Sequence, residues 1–538
     1  MLKLPQLCAV TRPLPSVPEL ESLLHLAPES VWLHGSDGFL GAGEAARWQF
    51  SAHDHGAVSG SGTARADASG DPPSSEARFL AADRWWAELV RHAVIDDAGG
   101  LPECGLTAFG SFSFDPDSPA GSVLIVPEVI VGRSENRAWI TIITHADVDS
   151  SDTDSVTDMY IGNGTNTDAH AYTNPYACPS TQHYALPYNS LDQLSEPALR
   201  LYNGVIDAIS HPDSVVAESQ LALDASETSA ITVRDEPSSQ SWARAVAKVR
   251  DHITSGDAQK VVLSRQRLLH SDAPIQPNVL LSRLHAGYRN TWVFAVDGLI
   301  GATPEMLVSL TGEDHVRTRT VKTRVLAGTI DSAHAHDSAP SIDSADRSTP
   351  TSSGDPASLS NHGVSSDHAS SDDRASALKN SGKDRREHEF AVQSVLDSLR
   401  PLGTTLAGDP FVLELPNVLH LATDITTTLH TGVSILDAVA RLHPTAALGG
   451  TPRERALELI RHNEPGDRGR FGAPVGWLSS NGASQWCVSL RCAHITGEYE
   501  ARAYAGAGIV ADSIPEQEVR ETEAKFVPIM QAFAARSA

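Results

Sequence analysis

Apolar residues recur at spacings of three and four in five stretches of the chain, and this period predicts helices at 239–255, 387–399, 435–441, 452–463 and 516–534. The stripe Ala391, Val392, Val395, Leu396 and Leu399 shows it most clearly. Other runs are β-branched and apolar and predict strands at 111–115, at 122–131 (SVLIVPEVIV) and from Lys260 to Leu263. No repeat at solenoid periods is present, and strands do not alternate with helices as a nucleotide-binding α/β unit requires. The pattern predicts an α+β fold.

Three segments break the pattern, near 54–77, 147–185 and 331–380. Their Ser, Asp, Gly, Thr and His content leaves too little apolar surface to offset the entropy of ordering, so they read as solvated loops, the last as a disordered insertion. Its four histidines are irregularly spaced, which favours a solvated loop over a metal-binding tract.

Composition narrows the class. The chain has 538 residues, long enough for one large domain or two ordinary ones. Its hydrophobic share of 41% lies under the usual globular value of roughly 45 to 50%, as polar insertions would produce. A formal net charge of -26 repels phosphate backbones and anionic lipid, so neither nucleic acid nor a membrane is an expected partner. An anionic substrate would need a local cationic pocket. The five cysteines form no CxxC pair, which argues against a zinc knuckle or a disulfide framework. Prolines interrupt the N-terminus where a signal peptide needs an apolar run, and no stretch approaches the roughly 20 apolar residues of a membrane span. A cytoplasmic protein is expected.

Charged residues next to apolar runs mark the candidate chemistry. Lys260 opens the run KVVLSR; in a partly apolar site a lysine loses basicity and can act as a general base, though this segment alone favours a strand-end lysine reaching for water. Glu305 follows a proline in GATPE, where desolvation could keep a carboxyl protonated for use as an acid. In TRVLAGT, Gly328 and Thr329 offer a turn where backbone can approach a ligand. Asp384 with Glu387, and Glu518 with Glu521, are carboxylates three apart that share a helix face; solvated faces are the alternative to a site for a hard cation such as magnesium. Arg491 sits in a strand-like segment, either in a structural ion pair or gripping a carboxylate. Gly506 and Gly508 present bare backbone to an anion or permit close strand packing.

KVVLSR, GATPE, LAGT, KDRREH, HLATDI, LHPTAALGG, RGRFGAPVGW, SLR, YAGAGI and SIPEQEVRETEAK occur in this order between 239 and 535, with a fainter echo in AFGSFSFD at 108–115. Together they resemble the chorismate-utilising enzymes, and within them the isochorismate synthases. The resemblance implies two large antiparallel sheets with flanking helices, with 1–238 as the N-terminal part of one fold and 239–535 as the chorismate-binding catalytic region. It implies Lys260 as the base that activates water and Glu305 as the acid that protonates the departing hydroxyl. Magnesium would be held by Glu387 and Glu521, assisted by Asp384 and Glu518. Arg491 with the Gly506 to Gly508 backbone would hold the enolpyruvyl carboxylate, and Gly328, Thr329, His420, Ala447, Phe471 and Lys525 would line the pocket. A monomer is expected, with no glutamine amidotransferase partner, feeding menaquinone, siderophore or salicylate formation.

Departures bear on the subtype. Aminodeoxychorismate synthases usually carry a nucleophilic lysine where Ala327 stands, and they and the anthranilate synthases lack the lysine found here as Lys260. Salicylate-forming members carry Thr and Tyr at Ala447 and Phe471. The usual LHPTPAVGG has a second proline where this chain has Ala446.

Overall fold

The computed structural model of the chain describes residues 4–16, 18–51, 64–65, 76–97, 103–146, 188–211, 230–310, 319–331, 371–415, 418–464 and 466–534. The segment 147–185 and most of 54–77 and 331–380, read above as solvated loops, lie outside them. The chain divides into two compact units, one of Met1–Thr323, Ser398–Thr405 and Thr426–Ala538, the other of Arg324–Asp397 and Leu406–Ile425.

Among the described residues, thirteen strands form the first sheet. Its order is Ile231–Glu236, Lys260–Ser271, Glu500–Ile509, Cys492–Gly497, Leu299–Thr303, Trp292–Val296, Ser30–His34, Asp37–Ala42, Val129–Ser134, Arg137–His145, Leu7–Pro13 and Val94–Asp97, with Gly450–Thr451 beside the lysine strand. In the first unit the second sheet contains Met306–Leu310, Ser484–Val488, Pro474–Ser479, Thr107–Ser111, Ser122–Val126, Ala46–Phe50 and Ala64–Arg65. The two sheets face each other there: Phe39 of the first meets Phe109 at 6.4 Å and Trp477 at 4.8 Å, both on the second. Trp32 Nε1 donates across to Gln485 Oε1 at 3.0 Å.

Period-two alternation sets the faces of the lysine strand. Val261 and Leu263 pack with Ala507 and Ile509 onto Trp242, Val246, Val249 and Ile253 of the helix Ser239–Thr254 and onto Leu459 and Ile460 of the helix Arg453–Asn463. Lys260, Val262 and Ser264 therefore point the other way.

Helices begin where local chemistry allows. The Ser434 side chain accepts from Asp437 N while Asp437 accepts from Ser434 N, a capping box that starts Ile435–Leu442. Pro515 supplies a helical φ at the first position of Pro515–Phe533. In the first unit three other helices, Ala77–His92, Glu196–Ser210 and Pro277–Gly287, lie outside the predicted stretches. In Glu196–Ser210 the buried stripe is Ala198, Leu201, Val205 and Ala208, whose two alanines contrast weakly with their neighbours.

The structure corrects several expectations. The strand expected at 111–115 is Thr107–Ser111; beyond it the backbone turns, and buried Arg78 donates to the carbonyls of Ser113 and Phe114. The run 122–131 divides at Pro127, which lacks an N–H for a ladder, into Ser122–Val126 on one sheet and Val129–Ser134 on the other.

In the second unit, Gly328 lies within the strand Thr320–Asp331 rather than at a turn, in a stretch of β-branched neighbours. Residues 371–380, taken as the end of the loop, form the helix Ser371–Asn380, whose Leu378 is buried against Leu419 and Leu421. There Arg324 pairs with Asp424 through bonds of 2.6 and 2.9 Å. His388, on the helix Gly382–Leu399, is buried and bonds Thr423 Oγ1 through Nε2 at 2.7 Å. Among the described residues no helix is long and apolar enough to cross a membrane.

Candidate active site

Two of the short links that carry the chain between the sheets of the first unit each bear one of the charged candidates. Pro304 and Glu305 join Leu299–Thr303 of the first sheet to Met306–Leu310 of the second. Ser489, Leu490 and Arg491 join Ser484–Val488 of the second to Cys492–Gly497 of the first. The links clasp each other: Thr303 Oγ1 donates to Val488 O at 2.5 Å, Val488 N to Glu305 O at 2.9 Å, and Ala302 N to Arg491 O at 3.3 Å. Arg491 has φ +49°, a left-handed conformation that non-glycine residues seldom adopt. It therefore lies in a sharp bend and not in a strand, because changing sheets there requires one. Such strain persists where surrounding bonds hold it and is frequent at functional sites.

Glu305 is partly buried, and desolvation raises its carboxyl above the ordinary range, against the charges of Arg491, Lys260 and Lys525. Burial lowers Arg491, opposed first by the charge of Glu305 and also by Tyr288 and Glu521. The buried Cys487 thiol is pushed up by desolvation and by the charge of Glu305. One carboxyl thus sits among three cations.

Lys260 opens the strand Lys260–Ser271, opposite Thr451. A Cβ on Gly508 would stand 2.9 Å from Lys260 Cε, so the lysine stem crosses a space that only glycine leaves open. Gly508 lies opposite Val262, and Gly506 opposite Ser264. Past Ala503 the strand Glu500–Ile509 has no partner from Cys492–Gly497. At this open edge Lys525 Nζ donates to Gly506 O at 2.8 Å and bonds Glu521 Oε1 at 2.6 Å. A strand residue turns its N–H and C=O to the same side, so the amides of Gly506 and Gly508 face that edge as well.

Glu518 and Glu521 share a face of the helix Pro515–Phe533. Burial raises the Glu518 carboxyl, opposed by a hydrogen bond from Ser513; the charge of Glu521 raises it further and that of Lys525 lowers it. Phe471 is buried and stacks on Tyr504 at 5.5 Å, and Tyr504 lies on the same face of its strand as Gly506 and Gly508. Ala447 is exposed in the turn before Gly450–Thr451.

The first unit therefore brings together Lys260, Glu305, Arg491, Gly506, Gly508, Glu518, Glu521 and Lys525. Gly328, Thr329, Asp384, Glu387 and His420 belong to the second unit. His420 is half-buried opposite Leu413, while the side chains of Thr329, Asp384 and Glu387 lie outside the described residues. Among the described residues no three His, Cys, Asp or Glu side chains are grouped to hold a metal ion. Sequence reasoning missed Tyr288 and Tyr504; only Tyr504 carried a signal, its spacing of two from the first glycine.

The sequence model of the chorismate binding enzymes matches residues 67–531. The chain belongs to this family. Among chorismate binding enzymes it is similar to the isochorismate synthase MenF of Bacillus subtilis, with 31% identity over 308 residues that cover 56% of this chain and 57% of that protein. It is similar also to isochorismate synthase DhbC of Bacillus subtilis, with 33% identity over 314 residues covering 56% and 69%. Isochorismate synthase EntC of Escherichia coli is 32% identical over 304 residues, covering 55% and 68%. The match thus spans little more than half the length of the MenF relative. Among solved structures, menaquinone-specific MenF from Escherichia coli superposes with a TM-score of 0.63 at 21% identity, covering 98% of this chain and 95% of that one. Anthranilate synthase component I from Streptococcus pneumoniae gives 0.58 at 18% identity, covering 93% and 92%. These likenesses show the fold, an α+β architecture with two large antiparallel sheets.

Proposed function

We propose that this chorismate binding enzyme is an isochorismate synthase, which adds water at C2 of chorismate and expels the C4 hydroxyl. The observation that carries this reading is the desolvated Glu305 carboxyl set among Lys260, Arg491 and Lys525. A neutral water becomes a nucleophile only by losing a proton, and hydroxide leaves a ring only by gaining one. Lys260 takes the first proton. Glu305, whose proton desolvation holds more tightly than an ordinary carboxyl's, gives the second. The substrate is a dianion, so a chain of charge -26 must concentrate cations locally, and Arg491 and Lys525 do so.

Arg491 and the edge amides of Gly506 and Gly508 hold the enolpyruvyl carboxylate. The donor set on the Pro515–Phe533 helix fits magnesium: two carboxylates three apart, Glu518 raised by burial and by the charge of Glu521, supply hard oxygen ligands. Glu518 and Glu521 would hold the ion. Bound magnesium supplies a Lewis acid that takes up carboxylate charge. Ala447 and Phe471 bring no hydroxyl to the pocket, which supports a synthase that releases isochorismate over one that goes on to eliminate pyruvate.

Purified protein with chorismate and magnesium is expected to yield isochorismate, resolved by chromatography, with activity lost in excess chelator and restored by magnesium. Salicylate with equimolar pyruvate as the product contradicts the reading, and full turnover in chelator contradicts the metal.

A further inference from the structure

The strand that carries Lys260 has a gap along one side. Gly450–Thr451 accompanies it only at Lys260 and Val261, and Ile231–Glu236 only from Gln266 onward. Between these points the backbone groups of Val262 and Ser264 face outward with no strand beside them, yet all four are satisfied. Val262 N donates to Gly449 O at 2.9 Å, and Val262 O accepts from Arg468 Nη2 at 2.7 Å. Ser264 N donates to Glu464 Oε1 at 2.7 Å, and Ser264 O accepts from Trp242 Nε1 at 2.8 Å. Glu464 and Arg468 pair with each other, their side chains only 5% and 3% exposed. Arg468 Nη1 also donates to Leu448 O at 2.9 Å, beside Ala447, and its guanidinium lies 4.1 Å over the Phe114 ring.

We propose that the buried Glu464–Arg468 pair replaces the missing length of strand and positions the proton-transferring face of the site. The gap spans the residues opposite Gly506 and Gly508, so whatever fixes Val262 and Ser264 fixes the floor on which the Lys260 stem lies. An ordinary strand could close the gap, but it could not also reach the 445–449 turn. One guanidinium fork reaches both the strand and the turn. Neither residue faces the reacting atoms, so both are positioning residues. The inference rests on the isochorismate synthase reading for its kinetic arm alone.

Arg468→Lys keeps the charge opposite Glu464 but cannot donate to both carbonyls. In the folded variant kcat is expected to fall by about tenfold or more while KM for chorismate changes less than about threefold, as for a misplaced catalytic group. Phe114→Leu, which removes the ring beneath the guanidinium, is expected to lower kcat in the same way by roughly two- to fivefold. Unchanged kcat in a folded Arg468→Lys protein, or a rise in KM alone, overturns the proposal. Hydrogen exchange of the wild-type protein tests it independently of the reaction and of how the variants fold. The Ser264 amide is expected to exchange within about tenfold of its strand-bonded neighbours Leu263 and Arg265. Exchange at the rate of an open strand edge overturns the proposal even if turnover of chorismate is normal. Protection at Ser264 without any turnover of chorismate would instead leave the bridge standing and fault the isochorismate reading.

Discussion

In the proposed reaction Glu305 donates a proton, and desolvation raises its carboxyl against the charges of Arg491, Lys260 and Lys525. The raised value has a cost in stability. Above the ordinary carboxyl range the folded chain binds more protons here than the unfolded chain, so the stability present below the unfolded value is lost as pH rises through the folded one. Glu305→Gln removes that titration. Its turnover is expected to fall by roughly 100-fold or more, while its melting temperature at about pH 8 rises above wild type by a few degrees, a gap that narrows towards about pH 5. Calorimetry at the two pH values checks the stability; a variant that melts lower at both contradicts it. GATPE is conspicuous in the sequence because proline and glutamate interrupt an apolar run. The left-handed bend at Arg491 is not, since an arginine carries no mark of its φ, and Tyr288 enters the site only through folding.

At the scale of elements the site is made where neighbouring strands run out. The Glu500–Ile509 strand loses its partner Cys492–Gly497 after Ala503, which leaves the Gly506 carbonyl to Lys525 and, in the proposed function, the glycine amides to a ligand. Gly508→Ala places a methyl 2.9 Å from Lys260 Cε. The lysine stem can move aside at small cost to folding, so this variant is expected to stay folded while kcat falls by about tenfold or more. Near-normal kcat would show that Lys260 works from elsewhere. Helices with strong apolar stripes, such as Ile435–Leu442, were legible in the sequence almost to the residue, because burial of one face imposes the period. The division at Pro127 was misread: both halves are apolar and β-branched, and which sheet each joins depends on distant strands. Sheet order is a matter of long-range pairing, and the family resemblance rather than periodicity pointed to it.

At the scale of the whole molecule the proposed reaction requires an acidic protein to receive an acidic substrate. The net charge of -26 opposes the approach of a dianion until it meets Lys260, Arg491 and Lys525. Raising ionic strength from about 10 to about 150 mM shortens the screening length from roughly 30 to roughly 8 Å. At fixed free magnesium, kcat/KM is therefore expected to rise by about twofold or more over this range; a steady fall would mean that local attraction governs encounter. The helix Ser371–Asn380 escaped the sequence reading because Leu378 is nearly alone among polar residues. The central claim is that water enters the ring and the original hydroxyl leaves. Turnover of chorismate in water enriched in oxygen-18, read by mass spectrometry of the isochorismate after single turnover, tests it most directly. One heavy oxygen per product molecule is expected, with Lys260→Ala forming labelled product at least about 100-fold more slowly. Isochorismate without label, or labelled product formed by Lys260→Ala at the wild-type rate, would contradict it.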